Sequence, residues 1–67
     1  MTDTQYLDEI IEKSGLKIGY ICKNLGITPK TFIEKRANRS EFTASEIKRL
    51  CEILKISTKD REKIFFN

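Results

Sequence analysis

Sixty-seven residues, 39% hydrophobic and 34% charged with a formal net charge of +3, bound this chain to one small globular domain spanning residues 1–67. No apolar run approaches the ~18 residues a membrane span needs, and neither a basic stretch nor an apolar one opens the N-terminus, so a cytoplasmic protein is expected. A chain this short buries only about 60% of its unfolded surface, so its stability is expected to be marginal and a second subunit would help.

In chain order, the first helix is expected to open near Thr2, Asp3 or Thr4 and to run to Ser14, with Leu7, Ile10 and Ile11 inward. Gly15 is its stop signal. Asp8 and Glu9 are expected to lie near its positive N-terminal end and to stabilise it. Next, Ile18, Ile21, Cys22 and Leu25 recur at i, i+3, i+4 and i+7, the buried stripe of a helix over about 17–25. Gly26 takes the left-handed conformation that ends it, and Ile27 drops back onto the core. Thr28 is then an N-cap and Pro29 a first helical residue whose missing N–H costs nothing, opening a helix over about 28–37. So short a connection fixes the angle between the two helices and leaves the second one's N-terminal end projecting, with a polar, basic outer face.

Asn38-Arg39-Ser40-Glu41 is a polar loop that Phe42 is expected to anchor in the core. Thr43-Ala44-Ser45-Glu46 is a capping box for a helix whose Ile47, Leu50, Cys51 and Leu54 repeat the apolar spacing. Ile56 tucks in before Ser57-Thr58-Lys59-Asp60, a second capping signature, and a last helix of about 58–66 ends in Ile64-Phe65-Phe66. With no repeats, no low-complexity tract and no strand-like alternation, the fold class is all-α: a compact bundle of about five short helices containing a helix-turn-helix.

Charge is unevenly distributed along the chain. Residues 1–16 hold Asp3, Asp8, Glu9 and Glu12 against Lys13, a net −3. Residues 17–39 hold Lys17, Lys23, Lys30, Lys35, Arg36 and Arg39 against Glu34, a net +5. The remainder holds six basic and five acidic groups, a net +1. A positive excess on the paired helices suits phosphate, although a chance cluster would look the same.

The stretch from Leu16 to Phe42 resembles the helix-turn-helix of the Cro/CI (Xre-type) repressors of temperate phages and mobile elements. Their pattern places a small residue four before the turn glycine and an apolar one six beyond it; Cys22, Gly26 and Phe32 stand at those positions. The flanking helices also occur in the expected order. Three positions depart from the pattern. Ile18 stands for the usual Gln, Arg36 occupies a place where an apolar core residue is common, and Asn38 replaces the customary Gly. Asn tolerates the left-handed conformation best after Gly.

The resemblance implies a lambda-repressor-like fold and a second motif helix lying in the DNA major groove. Its base-contacting set then falls on Thr28, Pro29, Lys30, Thr31, Ile33 and Glu34. Lys30 would donate to guanine O6/N7, Ile33 would pack against a thymine methyl, and Glu34 would accept from cytosine N4. Lys30 and Glu34 are also spaced for a plain intrahelical ion pair. Ile33 and Phe32 lie 100° apart, so one of them is expected to be exposed, with Ile33 either at a methyl or at the core margin. Phosphate contacts are expected from Lys17, the amides at the front of the first motif helix beginning with Ile18, and Asn38, Arg39 and Ser40. Arg36 would either snorkel toward a phosphate or remain a surface charge. Lys23 and Lys35 would add only field.

Cys22 and Cys51 lie on apolar stripes without C-x-x-C spacing, and the chain has no histidine, so both are expected to be small buried residues, with neither a metal site nor a disulfide. No histidine, nucleophile elbow or phosphate-binding glycine loop suggests catalysis, and neither a cofactor nor a small-molecule ligand is expected. The expected function is therefore a sequence-specific regulator, a Cro-like repressor of a phage or phage-like element that occupies a double-stranded DNA operator. No ligand domain or cleavable tail is expected, so abundance and competition would regulate it. Such proteins commonly bind as dimers on half-sites about 34 Å apart. Here Ile64, Phe65 and Phe66 would supply a homodimer interface, or both rings would pack inward. Two alternatives stay open: a helix-turn-helix domain acting through a protein partner, of antitoxin or anti-repressor type, and an excision or architectural factor that bends DNA.

Overall fold

Local end chemistry defines the five helices of the computed structural model, which describes residues 1–66. They are α1 (Thr4–Ser14), α2 (Ile18–Leu25), α3 (Pro29–Arg36), α4 (Ala44–Leu54) and α5 (Thr58–Phe65), with no strand among the described residues. Four of them begin on a side chain that accepts from an orphan backbone N–H: Asp3 from Tyr6, Thr28 from Thr31, Thr43 from Glu46 and Ser57 from Asp60. Glu46 reciprocates by accepting from the Thr43 N–H at 2.9 Å, completing the capping box. α2 alone starts without a side-chain cap, at Lys17. α1 and α2 end on Gly15 and Gly26 at φ +72° and +75°, where glycine avoids the Cβ penalty of the left-handed region.

The boundaries correct four sequence expectations. Lys17 is a cap and not a helical residue, and α3, which opens on Thr28 as its expected N-cap, stops at Arg36 with Ala37 as its C-cap. The last helix ends at Phe65. No acidic residue occupies the first turn of α1, so Asp8 and Glu9 lie beyond the reach of its positive end. α4 terminates on Lys55, a residue with a β-carbon at φ 55°, in a place that sequence does not mark with glycine or asparagine.

Leu7 and Ile11 of α1, Ile21 and Cys22 of α2, Phe32 of α3, Leu50 and Leu54 of α4, and Ile64 and Phe65 of α5 form one buried cluster with Phe42 from the α3–α4 loop. Phe42 lies edge-on between Phe32 (centroids 5.9 Å apart) and Phe65 (5.8 Å), pinning that loop to both helices. α4 packs against α2 and α1, while α3 packs against α2 and α5 against α1. The chain ends are tied together. The Asp3 N–H donates to the Ile64 carbonyl at 2.7 Å, and the Tyr6 hydroxyl donates to Asp60 at 2.8 Å. That hydrogen bond raises the Tyr6 pKa above its ordinary value. Cys22 is buried, but Cys51 is only half-buried, a correction to the expectation that both are enclosed. Burial pushes both thiols up, opposed at Cys51 by the nearby Arg61. No helix among the described residues is long and apolar enough to cross a membrane.

Candidate functional site

The surface that combines α2, α3 and the loop after α3 is built outward from Phe32, whose side chain is fully buried. Residues three and four beyond it share its face, so Lys35 and Arg36 are carried toward the protein. Lys35 Nζ lies 2.5 Å from Glu46 Oε1, with the two side chains 12% and 14% exposed. Burial opposes the Glu46 charge, yet the Lys35 ammonium and the Thr43 backbone outweigh it and hold the carboxyl below its ordinary pKa. Arg36 Nη1 lies 3.3 Å from Asp8 Oδ1, and the Thr4 hydroxyl donates to the Arg36 carbonyl. α3 is thereby fastened to α4 at one flank and to α1 at the other.

These links correct the expectation of a basic outer face on this helix. Among the cations of α3, Lys35 and Arg36 are committed to carboxylates of the same chain. Arg36, paired with Asp8, keeps a side chain 33% exposed. The Asn38 side chain is engaged within the chain: its carboxamide oxygen accepts from the Thr2 N–H at 2.8 Å and its NH₂ donates to the Thr2 carbonyl at 3.0 Å. Its backbone is left-handed, at φ 65°.

What α3 turns outward is Pro29, Lys30 and Ile33, all exposed like the C-cap Ala37, with Thr31 and Glu34 half-buried beside them. Ile33 is 52% exposed against 0% for Phe32, which resolves the neighbouring pair. Lys30 and Glu34 form no ion pair with each other among the described residues. The Thr28 hydroxyl accepts from the Thr31 N–H at 3.2 Å and donates to the Thr31 hydroxyl at 3.0 Å, so both side chains belong first to the helix cap.

Three residues, Gly26 to Thr28, separate α2 from α3, and the Ile27 N–H returns to the Cys22 carbonyl at 3.1 Å. Lys17 is exposed at the start of α2, whereas the Ile18 side chain packs against the core and only its backbone faces the entry of the helix. Arg39 and Ser40 are exposed beyond α3, as is Lys23 on α2. Arg49 of α4 donates from Nε to the Asn24 carbonyl at 3.3 Å, closing the back of α2.

The C-terminal triplet divides. Ile64 and Phe65 are core residues at 0% and 6% exposure, which corrects their assignment to an interface, while Phe66 is 61% exposed. Phe66 and Met1 border a cleft of about 230 Å³ floored by Phe42, Ile47 and Phe65.

Sequence reasoning missed the two ion pairs and the Asn38–Thr2 clasp. The first two had a signal, the i+3 and i+4 offsets from Phe32; the third joins residues 36 apart with none. Comparison with protein-family models, with curated proteins and with solved structures gives no match to this chain.

Proposed function

We propose that this chain is a sequence-specific double-stranded DNA-binding regulator, a Cro-like repressor of a phage or phage-like element, in which α2 and α3 act as a helix-turn-helix with α3 in the major groove. One observation carries the reading: α3 is anchored by Phe32, Glu46 and Asp8, and its opposite face projects Lys30 and Ile33 with no partner from the chain's own core. A helix held on one side and left unfilled on the other suits insertion into a groove. Thr28, Pro29, Lys30, Thr31, Ile33 and Glu34 form its base-reading end, with Lys30 directed to guanine and Glu34 to cytosine N4.

Phosphates on either side are held by Lys17, the Ile18 amide, Arg39 and Ser40. The uncapped start of α2 supports this part, since its amides have no side-chain acceptor. The protein acts in the cytoplasm without catalysis or cofactor, by occupying an operator and excluding RNA polymerase. Self-association, where the operator has two half-sites, runs through the Phe66 edge.

The test is selection from a randomised duplex library near physiological salt, followed by sequencing of the bound fraction. An enriched motif is expected, with log affinity falling against log salt at a slope of about −3 for ~3 phosphates per protomer. No enrichment with demonstrably folded protein would sink the reading and point to a protein partner.

A further inference from the structure

The outward stripe of α3 is largely apolar. Of its three exposed residues only Lys30 is charged; Pro29 and Ile33, like the exposed C-cap Ala37 beyond them, carry no hydrogen-bonding side chain. Ile33 is the largest of them, half exposed and outside the packed cluster. A branched alkyl group in a groove has one complementary partner on the base edges, the methyl at pyrimidine C5. That methyl belongs to thymine, and equally to cytosine methylated at C5, because the group stands at the same ring position in both.

The geometry points to Ile33 as a reader of the pyrimidine 5-methyl group, whichever base carries it, so that cytosine methylation at its position raises the affinity of the site. This rests on the DNA-binding reading above and deepens it. Lys30, one turn before Ile33, supplies the cation expected beside a nucleic acid. The neighbouring bases are left to Lys30 and Glu34, whose donor and acceptor respond to ring substituents other than the methyl. A methyl buried against Ile33 is worth about four-fold in affinity per contact, the ~0.8 kcal/mol of one buried carbon.

The experiment measures the affinity of wild-type and Ile33→Ala proteins on the duplex enriched by selection. Derivatives of that duplex are altered at one pyrimidine at a time, thymine to uracil in one arm and cytosine to 5-methylcytosine in the other. A position is expected where uracil weakens wild-type binding about four-fold. When cytosine occupies that position, its methylation is expected to strengthen binding by a similar factor, and Ile33→Ala is expected to respond to neither change. Ile33 is outside the core, so the variant is expected to unfold at an unchanged temperature, which a thermal melt verifies. Indifference of the wild type at every pyrimidine, or a full methyl response retained by Ile33→Ala, overturns the inference while the enriched motif keeps the DNA reading intact. A uracil response without a 5-methylcytosine response confines the contact to thymine and overturns the methylation claim. A selection that enriches nothing removes both.

Discussion

Replacing Glu46 by Gln isolates the link that holds α3 against α4. The substitution keeps the side chain's size and leaves an amide oxygen to accept from the Thr43 N–H, now at 2.9 Å, so the capping box survives and only the charge facing Lys35 is lost. Exposed pairs are worth about 0–1 kcal/mol, and removing one partner of a fully buried pair costs about 3–5 kcal/mol. With both side chains close to seven-eighths buried, the expected cost is about 2 kcal/mol. At about 0.1 kcal/mol per residue, 67 residues give about 7 kcal/mol of total stability, so more than a quarter is lost. The melting temperature should fall by about 10 °C at pH 7, read by circular dichroism.

Acid titration supplies the second arm of that experiment. The Glu46 pKa is lowered in the folded state because Lys35 and the Thr43 backbone outweigh burial. Its stabilisation is therefore complete above the unfolded carboxyl value of about 4.3. As the pH falls through that value toward the lower folded one, the contribution is lost. Wild type should thus lose stability in this window faster than Glu46→Gln, and the two should converge below it. A double-mutant cycle with Lys35→Met should give a coupling of about 1–2 kcal/mol at pH 7. Coupling under ~0.5 kcal/mol, or a wild-type advantage that persists unchanged through acid, would refute the reasoning.

Lys55→Gly should raise stability by about 0.5–1 kcal/mol, because relief of the left-handed strain at φ 55° exceeds the added unfolded-state entropy; a lowered denaturant midpoint would show that the Lys55 stem contributes packing instead. Gly19→Ala should also stabilise, by up to ~1 kcal/mol. A β-carbon there meets nothing within 4 Å, so a destabilised variant would mean that the surface of α2 is not open. Phe66→Ser should leave thermal unfolding within ~0.5 kcal/mol of wild type while weakening self-association; sedimentation unchanged at micromolar concentration would eliminate the Phe66 edge as an interface.

What was legible in the sequence was local. The Thr43–Glu46 box, the Thr28-Pro29 start, the Gly15 and Gly26 stops and the inward stripes each depend on residues within one or two turns, where spacing dictates geometry. Phe42 was readable as the one large apolar side chain in a polar loop, and Phe32 against Ile33 as an either-or. Charges were less legible, because a formal sum does not say where a side chain ends. Lys35 found Glu46 on the next helix and Arg36 found Asp8 on the first. Of the expected phosphate residues, Asn38 turned to Thr2 across the whole first half of the chain, a closure that no local pattern encodes. The C-terminal pair Phe65-Phe66 was ambiguous for a related reason. α5 ends between them, and which ring meets Phe42 depends on a tertiary contact.

The reassignment of charge changes the physical character of the proposed surface. Of the six cations between residues 17 and 39, Lys35 and Arg36 are paired within the chain, leaving Lys17, Lys23, Lys30 and Arg39 to face outward. Long-range attraction for a polyanion is correspondingly weaker than the net +5 suggests. The two internal pairs act on orientation instead, since each fixes one flank of a helix of only eight residues that has a single buried anchor in Phe32. A helix this short is marginal by itself, and rotation about its own axis would carry Lys30 and Ile33 away from any groove. On the DNA-binding proposal, stability and recognition would be coupled through Glu46 and Asp8, residues that belong to other helices and need not touch a ligand at all.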